Sequence, residues 1–236
     1  ATQFIAGSAQ MGATIYLTYY VQNHFGYSPF KSGVAFLPMI AALVATAITA
    51  GRLIVPRIGA RGTLPLGLAL VAVAFLIFSR MTTESTYAQV ALPGLIAFGS
   101  GLGLTMPVAF NSGTRGVEAK RTGLASAILS ASQQIGGSFG VALMTSYATQ
   151  HAEDYVADHT EEVRAVAMEA MMRAQALPQS PAGQKIIETL RTQLIDRAQI
   201  EAYAGGFTMM AWALAGAATV LVACGIGLSV RRRRRR

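Results

Sequence analysis

The sequence predicts an all-α membrane protein with six transmembrane helices, and three observations lead there. The 236 residues are 53% hydrophobic and only 13% charged, against about a quarter charged in ordinary soluble domains. Six stretches free of charge are long enough to cross roughly 30 Å of hydrocarbon as helices. The basic residues behind the net charge of +8 sit at the ends of apolar runs and form no shared patch with aromatic residues. That placement is a topology signal and argues against a nucleic-acid partner.

The spans cover residues 3–23, 32–51, 63–79, 88–111, 122–147 and 205–230, and none has Asp, Glu, Lys, Arg or His in its interior. Their short connections predict packed, antiparallel neighbours. Tyr16, Tyr19, Tyr20, Phe25 and Tyr27 gather at the end of the first span, where an interfacial aromatic belt is expected. Arg52, Arg57 and Arg61 follow the second span, Arg115, Lys120 and Arg121 follow the fourth, and Arg231 to Arg236 end the chain. Lys31 and Arg80 are the basic residues of the opposite short loops. Because cytoplasmic loops retain Lys and Arg, both ends of the segment are expected in the cytoplasm. The terminal arginines read as a stop-transfer anchor, each gaining about 1 kcal/mol at an anionic leaflet.

Residues 148–204 hold nine of the eleven acidic residues and form a loop too long for the charge rule to govern. Two amphipathic helices are expected in it. One starts at Thr160, ahead of two glutamates; the other starts at Ser180 and Pro181 as N-cap and first helical residue, with Pro178 and Pro181 separating the two. The expected organisation is therefore five helices in 1–147, an external helical hairpin in 148–204 acting as a solvated cap or, as the alternative, a binding lid, the last helix in 205–230 and a basic tail in 231–236. The chain opens "ATQFIAG", without a start methionine or a signal-peptide pattern, so it is expected to be a piece of a longer protein.

Polar residues inside the spans point to a pathway. At about 100° per residue, Gln3, Gly7, Gln10, Thr14, Thr18 and Gln22 occupy one third of the first helix's circumference. In the fourth, Gln89, Pro93, Ser100, Pro107 and Asn111 share a narrower strip, interrupted by Gly99, Gly101 and Gly103. The third and sixth spans are nearly free of amides and read as lipid-facing; the first and fourth read as cavity-facing. A single intramembrane Gln, Ser or Thr ordinarily bonds a neighbouring helix. Stripes on two spans favour a polar route, which assigns Gln10, Thr14, Gln22, Ser100 and Asn111 to a substrate pathway.

The fifth span carries "SASQQIGGSFG" at residues 130–140. Ser132, Gly136 and Gly140 form a stripe of small residues with the spacing that lets a second helix approach closely. Ser126, Ser130 and Gln134 lie on another face. Ser130 and Gln134 are assigned to the pathway and Gln133 to a bridge between helices.

Catalysis and metal binding have little support. "GSGLG" at 99–103 sets a serine among glycines, but His24, His151 and His159 all lie outside the spans, so a buried serine lacks a base and a zinc ion lacks ligands. The single cysteine, Cys224, excludes a disulfide within the chain. No catalytic residue, metal or cofactor is assigned.

"YVQNHFGYSPFKSGVAFLP" (20–38), "LPGLIAFGSGLGLTMPVAFNSG" (92–113), "TGLASAILSASQQIGGSFGVAL" (122–143) and "RAQIEAYAGGF" (197–207) resemble successive segments of the fourteen-helix drug:H+ antiporters of the major facilitator superfamily, the EmrB/QacA type. The resemblance implies the C-terminal six-helix bundle of that fold, built as two inverted three-helix repeats, with the first and fourth helices facing the cavity. It implies proton-coupled export of drugs or other small amphipathic molecules across a bacterial cytoplasmic membrane. Its partners would be the lipid bilayer and the N-terminal half of the same transporter. A dedicated metabolite exporter and a non-transporting membrane scaffold are the alternatives.

Two departures stand out. "GRLIVPRIGAR" resembles the family's cytoplasmic gating motif, with Gly51, Arg52, Arg57, Gly59 and Arg61 in place, yet Val55 or Pro56 occupies the position of its acidic residue. Nor does any span hold a carboxylate, although proton coupling needs a titrating group. The coupling acid is therefore expected outside this segment.

Overall fold

Apolar runs punctuated by Pro and Gly fold into a bundle of α-helices. The computed structural model describes residues 1–173 and 181–233, and among these residues no strand occurs. Helix α1, Thr2–Tyr19, runs into a π-helical turn at Tyr20–His24, and Gly26, with φ of 61°, reverses the chain. Ser28 then accepts a hydrogen bond from the Lys31 amide at 3.3 Å, with Pro29 in the first helical position. These two residues start α2, Pro29–Ala35, which leads to α3, Leu37–Thr49.

The stretch read as an arginine-rich loop is helical instead. A π-helical turn, Ala50–Ile54, leads directly into α4, Val55–Phe78. The break falls at Gly59 alone, where φ of 68° and ψ of 172° suit only glycine. Reciprocal hydrogen bonds between Thr86 and Gln89 start the turn Tyr87–Ala91, followed by α5, Leu92–Thr114. Gln89 thus caps a helix N-terminus, a use the polar stripe did not anticipate.

Helices α6, Thr122–Arg173, and α7, Pro181–Arg233, are far longer than the spans they contain. Thr160 does not start a helix. No Pro or Gly lies between 148 and 160, so the helix runs on, and the Thr160 hydroxyl donates back to the Val156 carbonyl. The described residues of 148–204 continue α6 and α7 without a break. Pro178, Ser180 and the tail arginines 234–236 lie outside the described residues.

Among the described residues, three helical stretches are long and apolar enough to cross a membrane: Pro29–Phe78, Tyr87–Thr114 and Gln184–Ala223. The first takes in the expected second and third spans, divided by the break at Gly59. The expected first and fifth spans fall outside these stretches because Gln, Ser, Thr and Gly dilute their apolar content.

An aromatic core joins α5 and α7 to α4. Phe75, Phe78, Phe98 and Phe207 are fully buried, with Phe207 ring centroids 5.5 Å from Phe75 and 5.3 Å from Phe78. Tilted aromatic pairs at such distances gain about 0.5–1.5 kcal/mol beyond their area. The lipid-facing reading of α4 and α7 describes only one side of each: Leu66, Val73, Leu76 and Trp212 are exposed, while the aromatic side is interior. Two tyrosines of the expected belt are interior as well. Tyr16 donates to Thr145 Oγ1 at 3.0 Å and Tyr20 to the Thr82 carbonyl at 3.1 Å, because a buried phenol needs a partner.

Candidate functional site

Helices α1 and α6 meet along glycine. A Cβ at Gly136 or Gly140 would overlap the carbonyl oxygens of Phe4 and Ser8, and one at Gly7 would overlap the Gln133 carbonyl. The two backbones therefore touch, and no side chain fits between them. Ser8 adds a crosslink by donating to the Gly136 carbonyl at 2.7 Å. Ser132, from the same expected stripe, is half-buried.

This contact fixes the register of the polar residues. It places Gln10 opposite Gln133, whose Nε2 donates to Gln10 Oε1 at 3.2 Å and also approaches Met106 Sδ at 3.9 Å. Three helices, α1, α5 and α6, are joined at this amide junction. Met106 lies off the expected strip of α5, and nothing in its sequence position marked it. Further along α1, Thr14 and Thr18 donate to the carbonyls of Gln10 and Thr14, at 2.8 and 2.7 Å.

The remaining pathway candidates are dispersed. Gln22 sits half-buried in the π-helical turn after α1, while Ser100 on α5 and Ser130 on α6 are also half-buried. Gln134 is exposed, on the side of α6 turned away from the glycine contact. Asn111 lies at the far end of α5, beside Gly51 and Arg115 at a cavity of about 400 Å³. Among the described residues, the side chains of Gln22, Ser100, Asn111, Ser130 and Gln134 have no hydrogen-bond partner. They have free amide and hydroxyl groups to offer a ligand or water.

Gln3 presents a different case. It is 2% exposed and neither amide atom has a partner, a burial that costs about 1–3 kcal/mol. At the arginine-rich stretch, Arg57 donates to the Leu53 carbonyl one turn back at 3.4 Å, and Arg52, Arg57 and Arg61 are all exposed. Gly51 has open space around it.

A wider cleft of about 800 Å³ opens where α1, α6 and α7 diverge, with Tyr16, Tyr19, Thr145 and Tyr203 on its wall. Nothing in the order of residues marked it, since a cleft follows from how far helices separate.

Comparison with known proteins matches residues 1–141 to the family described as Major Facilitator Superfamily. The puromycin resistance protein of Streptomyces alboniger is 38% identical over 152 residues, which cover 63% of this chain and 30% of that protein. The multidrug resistance protein Stp of Mycobacterium tuberculosis is 33% identical over 138 residues, 58% of this chain and 25% of Stp. The tetracenomycin C resistance and export protein of Streptomyces glaucescens is 28% identical over 134 residues, 57% of this chain and 24% of that protein. The matched segments thus span about a quarter to a third of these relatives.

Proposed function

Because the chain belongs to the Major Facilitator Superfamily, a family of membrane transporters and not of enzymes, we propose that it is the C-terminal bundle of an exporter. The exported molecules are drugs or other small amphipathic compounds. The bundle has six spans in two inverted repeats, with Pro29–Phe78 counting as two spans bent at Gly59. It works with an N-terminal half by alternating access, in a bacterial cytoplasmic membrane, with both ends of the segment in the cytoplasm. The proton gradient drives export through an acid in the other half, since the spans here hold no carboxylate.

The observation that carries this reading is the amide junction of Gln10 and Gln133, which Met106 of α5 also approaches, on helices that further carry the unpartnered polar groups of Ser100, Ser130 and Gln134. Exposed apolar residues support a second half docked against the bundle. Leu37, Ile40, Val44 and Ile48 run along α3, and Leu124, Ile128 and Ile135 along α6, all at helical spacing. Of the relatives, one is named for multidrug resistance and two for a single antibiotic, so the range of substrates is the open variable. The 148–204 hairpin lies on the outer face and 231–236 anchors the cytoplasmic end.

Reconstituted full-length protein with Gln10→Leu or Asn111→Leu is expected to fold but to lose most of its transport. Unaltered transport in both variants removes the pathway assignment. A growth-inhibition panel with the complete gene separates multidrug export, which protects against unrelated compounds, from export of a single metabolite.

A further inference from the structure

The hairpin read as a solvated cap helps to enclose a cavity. Where α1 ends, Tyr19, Tyr20 and His24 face Asp196, Arg197 and Tyr203 of α7 across about 300 Å³. That volume lies at the small end of ligand sites. The aromatic wall is fixed in place. Tyr20 is 2% exposed, its ring stacks on His24 at 4.9 Å and its hydroxyl is tied to the Thr82 carbonyl. Tyr203 is held edge-on by Tyr16, with ring centroids 4.8 Å apart.

The charges on the opposite wall are uncommitted. Among the described residues, neither Asp196 nor Arg197 makes a hydrogen bond or an ion pair. Arg197 lines this cavity and also the next cleft along the hairpin, beside Tyr155 and His159, so its guanidinium can turn to either one. Asp196 is the anionic group of a cavity lined by the rings of Tyr19, Tyr20, His24 and Tyr203 and by the neutral side chains of Asn23, Thr83, Gln193 and Gln199. Ring faces attract cations through their quadrupole, so the carboxylate and the tyrosines favour the same ligand.

We propose that this cavity is a binding site for a small aromatic cation, separate from the amide junction. The cationic nitrogen sits near Asp196 and the ring lies against Tyr19 and Tyr203. The site follows from this geometry; only its assignment to the outer face of the membrane rests on the topology proposed above.

The test uses the full-length protein in right-side-out and inside-out membrane vesicles. The probe is 4-azidophenyltrimethylammonium, a membrane-impermeant aromatic cation that crosslinks on illumination. Crosslinks are expected in the segments around Tyr19–His24 and Gln193–Tyr203, from the outer face only. Asp196→Asn should reduce labelling about three-fold, the scale of an exposed charge pair, while Asp196→Glu retains it and Arg197→Gln does not lower it. Thermal melting checks that each variant is folded. Crosslinks elsewhere, equal labelling of wild type and Asp196→Asn, or loss of labelling in Arg197→Gln would each overturn the site. Labelling of these segments from inside-out vesicles alone supports the cavity and overturns the topology. No turnover is measured, so the outcome does not depend on whether Gln10→Leu transports.

Discussion

The α1–α6 seam and the aromatic core of α4, α5 and α7 hold helices together in opposite ways. In the seam, Gly7, Gly136 and Gly140 bring two backbones into contact, and the crosslinks are polar, from Ser8 to Gly136 and from Gln133 to Gln10. In the core, Phe75, Phe78, Phe98 and Phe207 interlock with no polar group among them. Interlocked rings resist sliding because each must leave its neighbours before moving. A smooth seam whose few hydrogen bonds can exchange with water presents a lower barrier to a shift between helices. The core thus suits a fixed frame and the seam a contact that can shift.

Substitutions can break this contrast, beginning with the largest effect. Phe207→Ala leaves a void between three helices and should cost about 3 kcal/mol of stability, measured by denaturation of the full-length protein in mixed micelles. A loss below that of Gly140→Ala would invert the ranking. Gly140→Ala adds one carbon where the Ser8 carbonyl already sits, forcing α1 away at a cost of about 2 kcal/mol, although the same change at the exposed Gly33, with open space around it, should be nearly neutral.

Gln3→Met works in the other direction. It removes a buried amide without partners and keeps the volume, so stability should rise by about 1 kcal/mol; a fall would mean that the amide is satisfied within the assembled transporter. The smallest effect is expected for Ser8→Ala, about 0.6 kcal/mol, the average for a hydrogen bond between membrane helices. A much larger loss there would show the seam to be pinned by hydrogen bonds, contrary to the sliding contact described above.

Much of this was legible in the chain itself. Apolar length, the scarcity of charge and the Pro and Gly punctuation specify helices, because a backbone in lipid must satisfy its own hydrogen bonds. The spacing of Gly136 and Gly140 marked a face on which helices could touch, and the polar residues of α1 could be placed on one side by angle alone. Several features were not legible. Tyr16 and Tyr20 read as surface residues because a tyrosine at a helix end has the same sequence signature whether lipid headgroups or Thr145 and Thr82 receive its hydroxyl. The start expected at Thr160 rested on a local capping pattern, which an uninterrupted helix overrides.

The sequence by itself determined which residues share a face of each helix, since that depends only on a rotation of about 100° per residue. Tertiary structure decided what each face meets. Gln10 meets Gln133 because the glycines of α1 and α6 let the two backbones close, whereas Gln134, one residue on, is turned about 100° away and exposed. The aromatic core and the Asp196 cavity arise in the same way, from residues far apart in the chain whose meeting depends on distances and crossings between helices that no single helix encodes.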